Sequence, residues 1–388
     1  LVTLIAGSTL AQGLGGQLIS EATAVQYGLH RAWATRVQVD GSTGRIGSVA
    51  LHGKVMVVQT DQSIIQALDA ETGQTLWVTS VGKSSLPTTS AALNDKYVAV
   101  ANGSKLYLLG IESGEPIWEK KLEGAPSAGP AMNSTRVYIP MLSGGIESYK
   151  LERKGLLDGE PTRYFGKGAS EVPPVASDER LMWATTAGYV VADDLDVSRD
   201  RIRFKTGGPV SAPVAYWPPL LFAGSRDGYA YALRMTSGDQ VWRFYAGGSI
   251  RHKPVAIKDA VYIVADSGGM SRLDAATGVE QWWAADITKF LAASPSRIYA
   301  ADAVGRLLIL DARSGSRLAS LPTEAMTFKF TNITNDRLYL GTSTGLIQCV
   351  HEVGLASPDM HAAPLKAEKP KPPMKPAEPT EPAAESAQ

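Results

Sequence analysis

Asp193-Asp194 sets two carboxylates side by side, a pair that could hold a hard divalent cation or pass a proton. Five histidines, His30, His52, His252, His351 and His361, are the other candidates for metal ligation or proton transfer. Their scatter argues against both roles: none forms the His-Glu-x-x-His spacing that places two imidazoles on one helix face. The single cysteine, Cys349, excludes an internal disulfide and a cysteine-built metal centre. It sits in the alternating stretch 346–350, which predicts a strand and a buried, inert thiol rather than a nucleophile. Asp193-Asp194 falls near a turn in an irregular part of the chain, where a solvated loop is the expected reading. These residues supply no catalytic signature, no metal site and no cofactor site.

Charge excludes a further class. Lys+Arg and Asp+Glu each number 38, and no basic stripe or motif for nucleic acid is present. Apolar residues make up 44% of the chain, enough for a large core.

The elements that would position any site follow from a repeat. About every forty residues the chain runs through short apolar strands, a turn ending in Gly, and then Trp. The clearest copies are Leu68–Trp77, Leu109–Trp118, Tyr231–Trp242 and Arg272–Trp283. Such a period, with several short strands per unit, predicts an all-β propeller of four-stranded antiparallel blades. The turn reads Asp-x-x-Thr/Ser-Gly: the polar side chain bonds the turn backbone, and Gly accepts a positive φ. Gly73, Gly114, Gly238, Gly278 and Gly315 fit that position, and Trp77, Trp118, Trp242 and Trp282 follow on the outer strand, where they should pack between blades.

Eight units are countable. Expected inner strands include Gly47–Leu51, Ser211–Ala215, Leu291–Pro295 and Phe330–Thr334. Three units lack the Trp, and Tyr164 or Phe165, Phe204 and Leu318 stand in its place. The last unit ends before its outer strand. That strand is available at the other end of the chain, where 30–37 carries Trp33 and the right alternation. An eight-bladed ring closed by the N-terminal strand is expected, which leaves no open sheet edge between its ends; seven blades with a separate N-terminal strand is the alternative. Residues 17–27 could form a short helix over the ring.

The ends read differently. Residues 1–28 form an extension whose apolar start, Leu1–Leu10, resembles the end of a secretory signal. Leu4-Ile5-Ala6-Gly7 matches the run before a lipidated cysteine, but Ser8 holds the cysteine position and has no thiol, so lipidation is doubtful. Residues 29–355 are the propeller. Residues 356–388, rich in Pro, Ala, Lys and Glu, predict a disordered tail.

The repeated Asp-x-x-Thr-Gly-x-x-x-Trp phrase resembles the pyrroloquinoline-quinone propeller repeat, over about Leu29–Val353. One branch of that group comprises quinoprotein dehydrogenases holding the quinone and Ca²⁺. The other is non-catalytic, the BamB-like lipoproteins of outer-membrane assembly. The catalytic branch implies hard oxygen ligands near the axis, a carboxylate base and, in many members, adjacent cysteines. Here the expected axial strands offer mainly Ser, Ala, Gly and Pro, and there is one Cys. The resemblance therefore implies a non-enzymatic protein–protein scaffold without cofactor, in the periplasm or at the outer membrane, with other envelope proteins as partners. A barrel-assembly component would be one such partner; a quinoprotein dehydrogenase and a glycan-binding propeller are the alternatives. Candidate partner-binding residues lie in three loops: Arg251-His252-Lys253 and Arg226-Asp227 on one face, and Tyr216-Trp217, stiffened by two prolines, on the other.

Overall fold

The computed structural model describes residues 18–39, 44–152, 160–196 and 201–361. The strands within them form eight four-stranded antiparallel sheets. Blades 1 to 7 span 46–80, 92–121, 131–165, 175–205, 215–245, 255–285 and 289–321, each running inner to outer in chain order. Blade 8 takes its three inner strands from 328–352 and its outer strand from Leu29–Arg36, which pairs antiparallel with Leu346–Glu352. The expected eight-bladed fold, closed by the N-terminal strand, is what forms.

Alternation explains the layers. Second and third strands are buried on both faces, as in Val55–Thr60 and Ile64–Asp69, because each blade packs on a neighbour at either side. One such core joins Val57, Ile65 and Trp77 of blade 1 to Val98, Val100 and Leu109 of blade 2. Outer strands keep the half-buried pattern of an edge, and Pro116–Lys121 ends in Glu119, Lys120 and Lys121, charges that discourage pairing with another chain.

The Trp–Gly phrase is a lock between blades. Each indole N–H donates to a backbone carbonyl of the next blade: Trp33 to Ala70 at 3.1 Å, Trp77 to Ile111 at 2.7 Å, Trp118 to Leu151 at 2.9 Å, Trp242 to Ala275 at 3.0 Å and Trp282 to Ala312 at 3.1 Å. The rings of Trp33, Trp77, Trp242 and Trp282 lie on the turn glycine of that blade. Gly73 has φ +73°, and a Cβ there would stand 2.6 Å from the Trp33 ring, so both the turn and the lock require glycine. Gly278 and Gly315 face Trp242 and Trp282 in the same way.

The turn has its own cap. The Asp69 carboxylate accepts the backbone N–H of Glu71 and Thr72 and the Thr72 hydroxyl. Asp69→Ala should cost about 1 kcal/mol in a urea unfolding titration, since three turn donors revert to water. A midpoint equal to wild type would show that the glycine alone sets the turn.

Register corrects three aromatic positions. In regular blades the Trp stands opposite the fourth position of the six-residue third strand, as Trp77 opposes Ala67, Trp118 Leu108, Trp242 Ala232 and Trp282 Arg272. By the same register Thr162 opposes Ser148 in blade 3, Ile202 opposes Ala192 in blade 4, and Ala319 opposes Ile309 in blade 7. Tyr164, Phe165, Phe204 and Leu318 are therefore one to three residues off. Ile202 takes over the lock, lying against Gly238. Ala319 leaves space beside the N-terminal segment: the helix Glu21–Gln26 follows the Ser20 cap, and Ile19, Ala24 and Tyr27 join the core of blades 7 and 8. Arg297 fastens that segment by donating to the carbonyls of Tyr27 at 3.0 Å and Gly28 at 3.3 Å.

Two inner strands also differ. The strand expected over 211–215 is Ala215–Trp217, and that expected over 330–334 is Phe328–Lys329. In the latter, Asn332 Oδ1 accepts the N–H groups of Thr334 and Asn335, a local bonding pattern that competes with the ladder.

Ala356–His361, expected to begin the free tail, lie on the propeller. Arg337 donates to the Ala356 carbonyl at 2.8 Å, the His361 N–H to Thr334 O at 2.8 Å, and Lys258 pairs with Asp359 at 3.0 Å. Residues 362–388 and 1–17, including Ser8, lie outside the described residues.

Candidate functional site

Chain direction sorts the loops. Inner strands of successive blades run the same way, so inner-strand starts and the hairpins between second and third strands share one face. Arg251-His252-Lys253 and Arg226-Asp227 are on that face, and the Trp217-Pro218-Pro219 link is on the other.

Most of these candidates are engaged by their own blade. Arg251 pairs with Asp266 at 2.8 Å. Arg226 donates to Ser211 Oγ at 3.0 Å, and Asp227 accepts the Tyr231 hydroxyl at 2.6 Å and the Tyr229 N–H at 2.9 Å, closing its hairpin. Trp217 and Tyr216 end the inner strand half-buried, packed on the cores on either side of blade 5. Burial pushes the Tyr216 phenol up.

Asp193 and Asp194 end the third strand of blade 4, where Asp193 binds Arg201 through both oxygens and Asp194 lies 3.5 Å from Arg180. They are structural anions of a blade edge. No group of three or more His, Cys, Asp or Glu among the described residues could hold a metal ion. Cys349 is buried, and burial pushes its thiol up to about 12. One Gly-x-Ser-x-Gly string, Gly341–Gly345, passes unnoticed in a reading by motif. Its Ser343 lies in a hairpin, 3.3 Å from the Thr327 hydroxyl, with no histidine partner, and so is not a nucleophile elbow.

Two cavities bear on function. One, of about 510 Å³, opens at the rim between blades 3 and 4, where Thr162 replaces the locking Trp. Two of its arginines are already paired, Arg201 with Asp193 and Arg163 with Glu147 at 3.2 Å. The other, of about 420 Å³, lies at the hub between the inner strands of blades 1, 6, 7 and 8. Leu51, Tyr262, Phe290 and Phe330 form its apolar walls, and Lys253, Lys289 and His252 its polar ones. Burial lowers the pKa of both lysines. Sequence reasoning had singled out Lys253 and His252 but not Lys289. The available signal was a lysine at the start of the inner strand in three consecutive blades, Lys253, Lys289 and Lys329.

The sequence profile described as outer membrane protein assembly factor BamB matches residues 30–192 and 176–347, nearly the whole ring. BamB from Moraxella catarrhalis superposes with TM-score 0.67 at 18% identity, covering 84% of this chain and 98% of that one. A computationally designed protein, Ika8, superposes with TM-score 0.65 at 16% identity, covering 81% and 98%. Identity this low carries the fold alone. No curated protein matches.

Proposed function

We infer, since the chain belongs to the family of the outer membrane protein assembly factor BamB, that it is a non-enzymatic propeller scaffolding protein–protein contacts in the bacterial cell envelope. Its proposed place is the periplasm or the inner side of the outer membrane, and its proposed partner is a component of the machinery that inserts β-barrels. The observation that carries this reading is the family match across both halves of the ring, 30–192 and 176–347.

The site chemistry supports it. A calcium–quinone centre needs several hard oxygen ligands around the metal, whereas the hub cavity offers lysines, a histidine and two threonines, with no carboxylate among its walls. Those residues do not fit the ion. No described helix is long and apolar enough to cross a membrane.

The test is site-specific photocrosslinking of the full chain in its own envelope, with probes at Arg226 and Arg251 on one face and Trp217 on the other. Adducts with a barrel-assembly component from one face only are expected. Substituting the responsive residue by Ala should reduce them. Recovery of no such component from either face, or turnover of an alcohol when the protein is mixed with the quinone and Ca²⁺, would overturn the scaffold reading.

A further inference from the structure

The hub cavity holds charge that nothing in the ring neutralises. Lys253 lines it and has no hydrogen-bond or ionic partner among the described residues. Lys289 also lines it, and its ammonium donates only to the Lys329 carbonyl at 2.5 Å. Nearby carboxylates are already committed: Asp266 to Arg251 at 2.8 Å, and Asp302 to Arg306 at 2.6 Å. Lys329 turns away, donating to the carbonyls of Thr323 at 2.9 Å and Met326 at 2.5 Å.

Both lysines are half-buried, so each ammonium is partly desolvated and gains from an anion that meets it. Burial depresses both lysines, and neither has a carboxylate that offsets the effect. The rest of the wall is aromatic and aliphatic: Phe290 packs on Tyr262 with centroids 5.2 Å apart, and Phe330 closes the blade 8 side. At about 420 Å³ the recess lies within the size range of small-molecule sites. Two lysines on the wall of one recess, with an apolar body beside them, select the ligand chemistry.

We propose that this hub cavity binds a small organic monocarboxylate with an aromatic or aliphatic body, its carboxylate received by Lys253 and Lys289 and its body by Phe290, Phe330 and Tyr262. Inorganic phosphate lacks the apolar part and leaves the aromatic wall wet. A neutral alcohol of the same shape leaves the ammonium groups unpaired. The recess adjoins the Arg251-His252-Lys253 loop of one face, but its test reads small-molecule binding alone, so its failure would leave the proposed function standing.

The experiment is calorimetric titration of the full chain with phenylbutyrate, alongside phenylbutanol, which keeps the body without the charge, and butyrate, which keeps the charge with little body. Phenylbutyrate should bind at one site with a dissociation constant below about 1 mM. Both controls should bind at least about tenfold more weakly, the loss expected when a charge-assisted contact or the apolar contact is removed. Lys253→Met and Lys289→Met should each weaken phenylbutyrate by about tenfold while melting no earlier than wild type, since each removes a partly desolvated charge that has no ionic partner. If one variant fails to fold, the other carries the test. Equal binding of acid and alcohol, wild-type affinity in both variants, or no saturable binding would each overturn the proposal.

Discussion

Trp33→Ala is expected to lower unfolding free energy by about 3–5 kcal/mol, the usual cost of deleting a buried indole. Trp33 serves two interfaces at once. It lies on the outer strand of blade 8, opposite Cys349, and its ring covers Gly73 of blade 1 while its N–H reaches Ala70 O at 3.1 Å. Tyr339 packs beside it at 6.0 Å between centroids and donates to the same carbonyl at 3.2 Å. Removing the indole thus loosens the junction where the ring's two ends meet. Urea unfolding followed by tryptophan fluorescence and by circular dichroism should show an earlier midpoint with both signals. A loss below about 1 kcal/mol would mean that the strand pairing of blade 8 alone holds the ring shut.

Arg337→Ala should be nearly as damaging, with a pH signature of its own. Asp336 and Arg337 form an ion pair with side chains 0% and 5% exposed, at 3.1 Å. Removing one partner of a buried pair typically costs about 3–5 kcal/mol, because the remaining charge is left without a counterion. Burial already holds the Asp336 carboxyl above its ordinary 3.8, even with Arg337 beside it. Without the arginine that carboxyl rises further. A folded state that binds its proton more tightly than the unfolded chain is destabilised as pH rises from 3.8 through the raised value. The deficit of Arg337→Ala should therefore be largest near neutrality and shrink on acidification, as Asp336 becomes neutral. The check is a set of urea midpoints for variant and wild type from about pH 4 to 7; a gap that stays constant across the series would refute the assignment.

The regular blades were legible because their information is linear. A cap, a glycine and an indole at fixed spacing state both the turn and the lock, and the N-terminal strand announced itself by carrying the indole missing from the last unit. Legibility ended where spacing changed. In blades 3 and 4 the nearest aromatic drew the reading, whereas ladder register put Thr162 and Ile202 at the lock; in blade 7 the regular spacing from Asp311 through Gly315 already marks Ala319, and Leu318 was one residue short of it. Position along the chain does not reveal register when the turn before the outer strand differs in length or composition.

The hub was half legible. Lys253 stood out within a run of three basic groups, but Lys289 was hidden in an ordinary strand start, and only the ring brings the two to one recess. Trp217 read as an anchor beside two prolines, and it is half-buried against the core shared by blades 5 and 6. Ala356–His361 carry one large apolar residue, Met360, which stays exposed, yet their backbone and His361 find partners on blades 7 and 8, which composition does not report.

Ring closure through residues 29–36 has a consequence in time. A ribosome delivers that segment ahead of every other strand of the ring and its partner, Leu346–Glu352, after them. For the whole interval the first strand is an orphan, and the blade it belongs to does not yet exist. Contacts of such sequence separation form slowly, since the loop between them must be closed before any pairing rewards it. Until then both ends of the growing arc offer adhesive edges, so the dangerous period for this protein is its own manufacture, and a chaperone that shields a lone strand would shorten it.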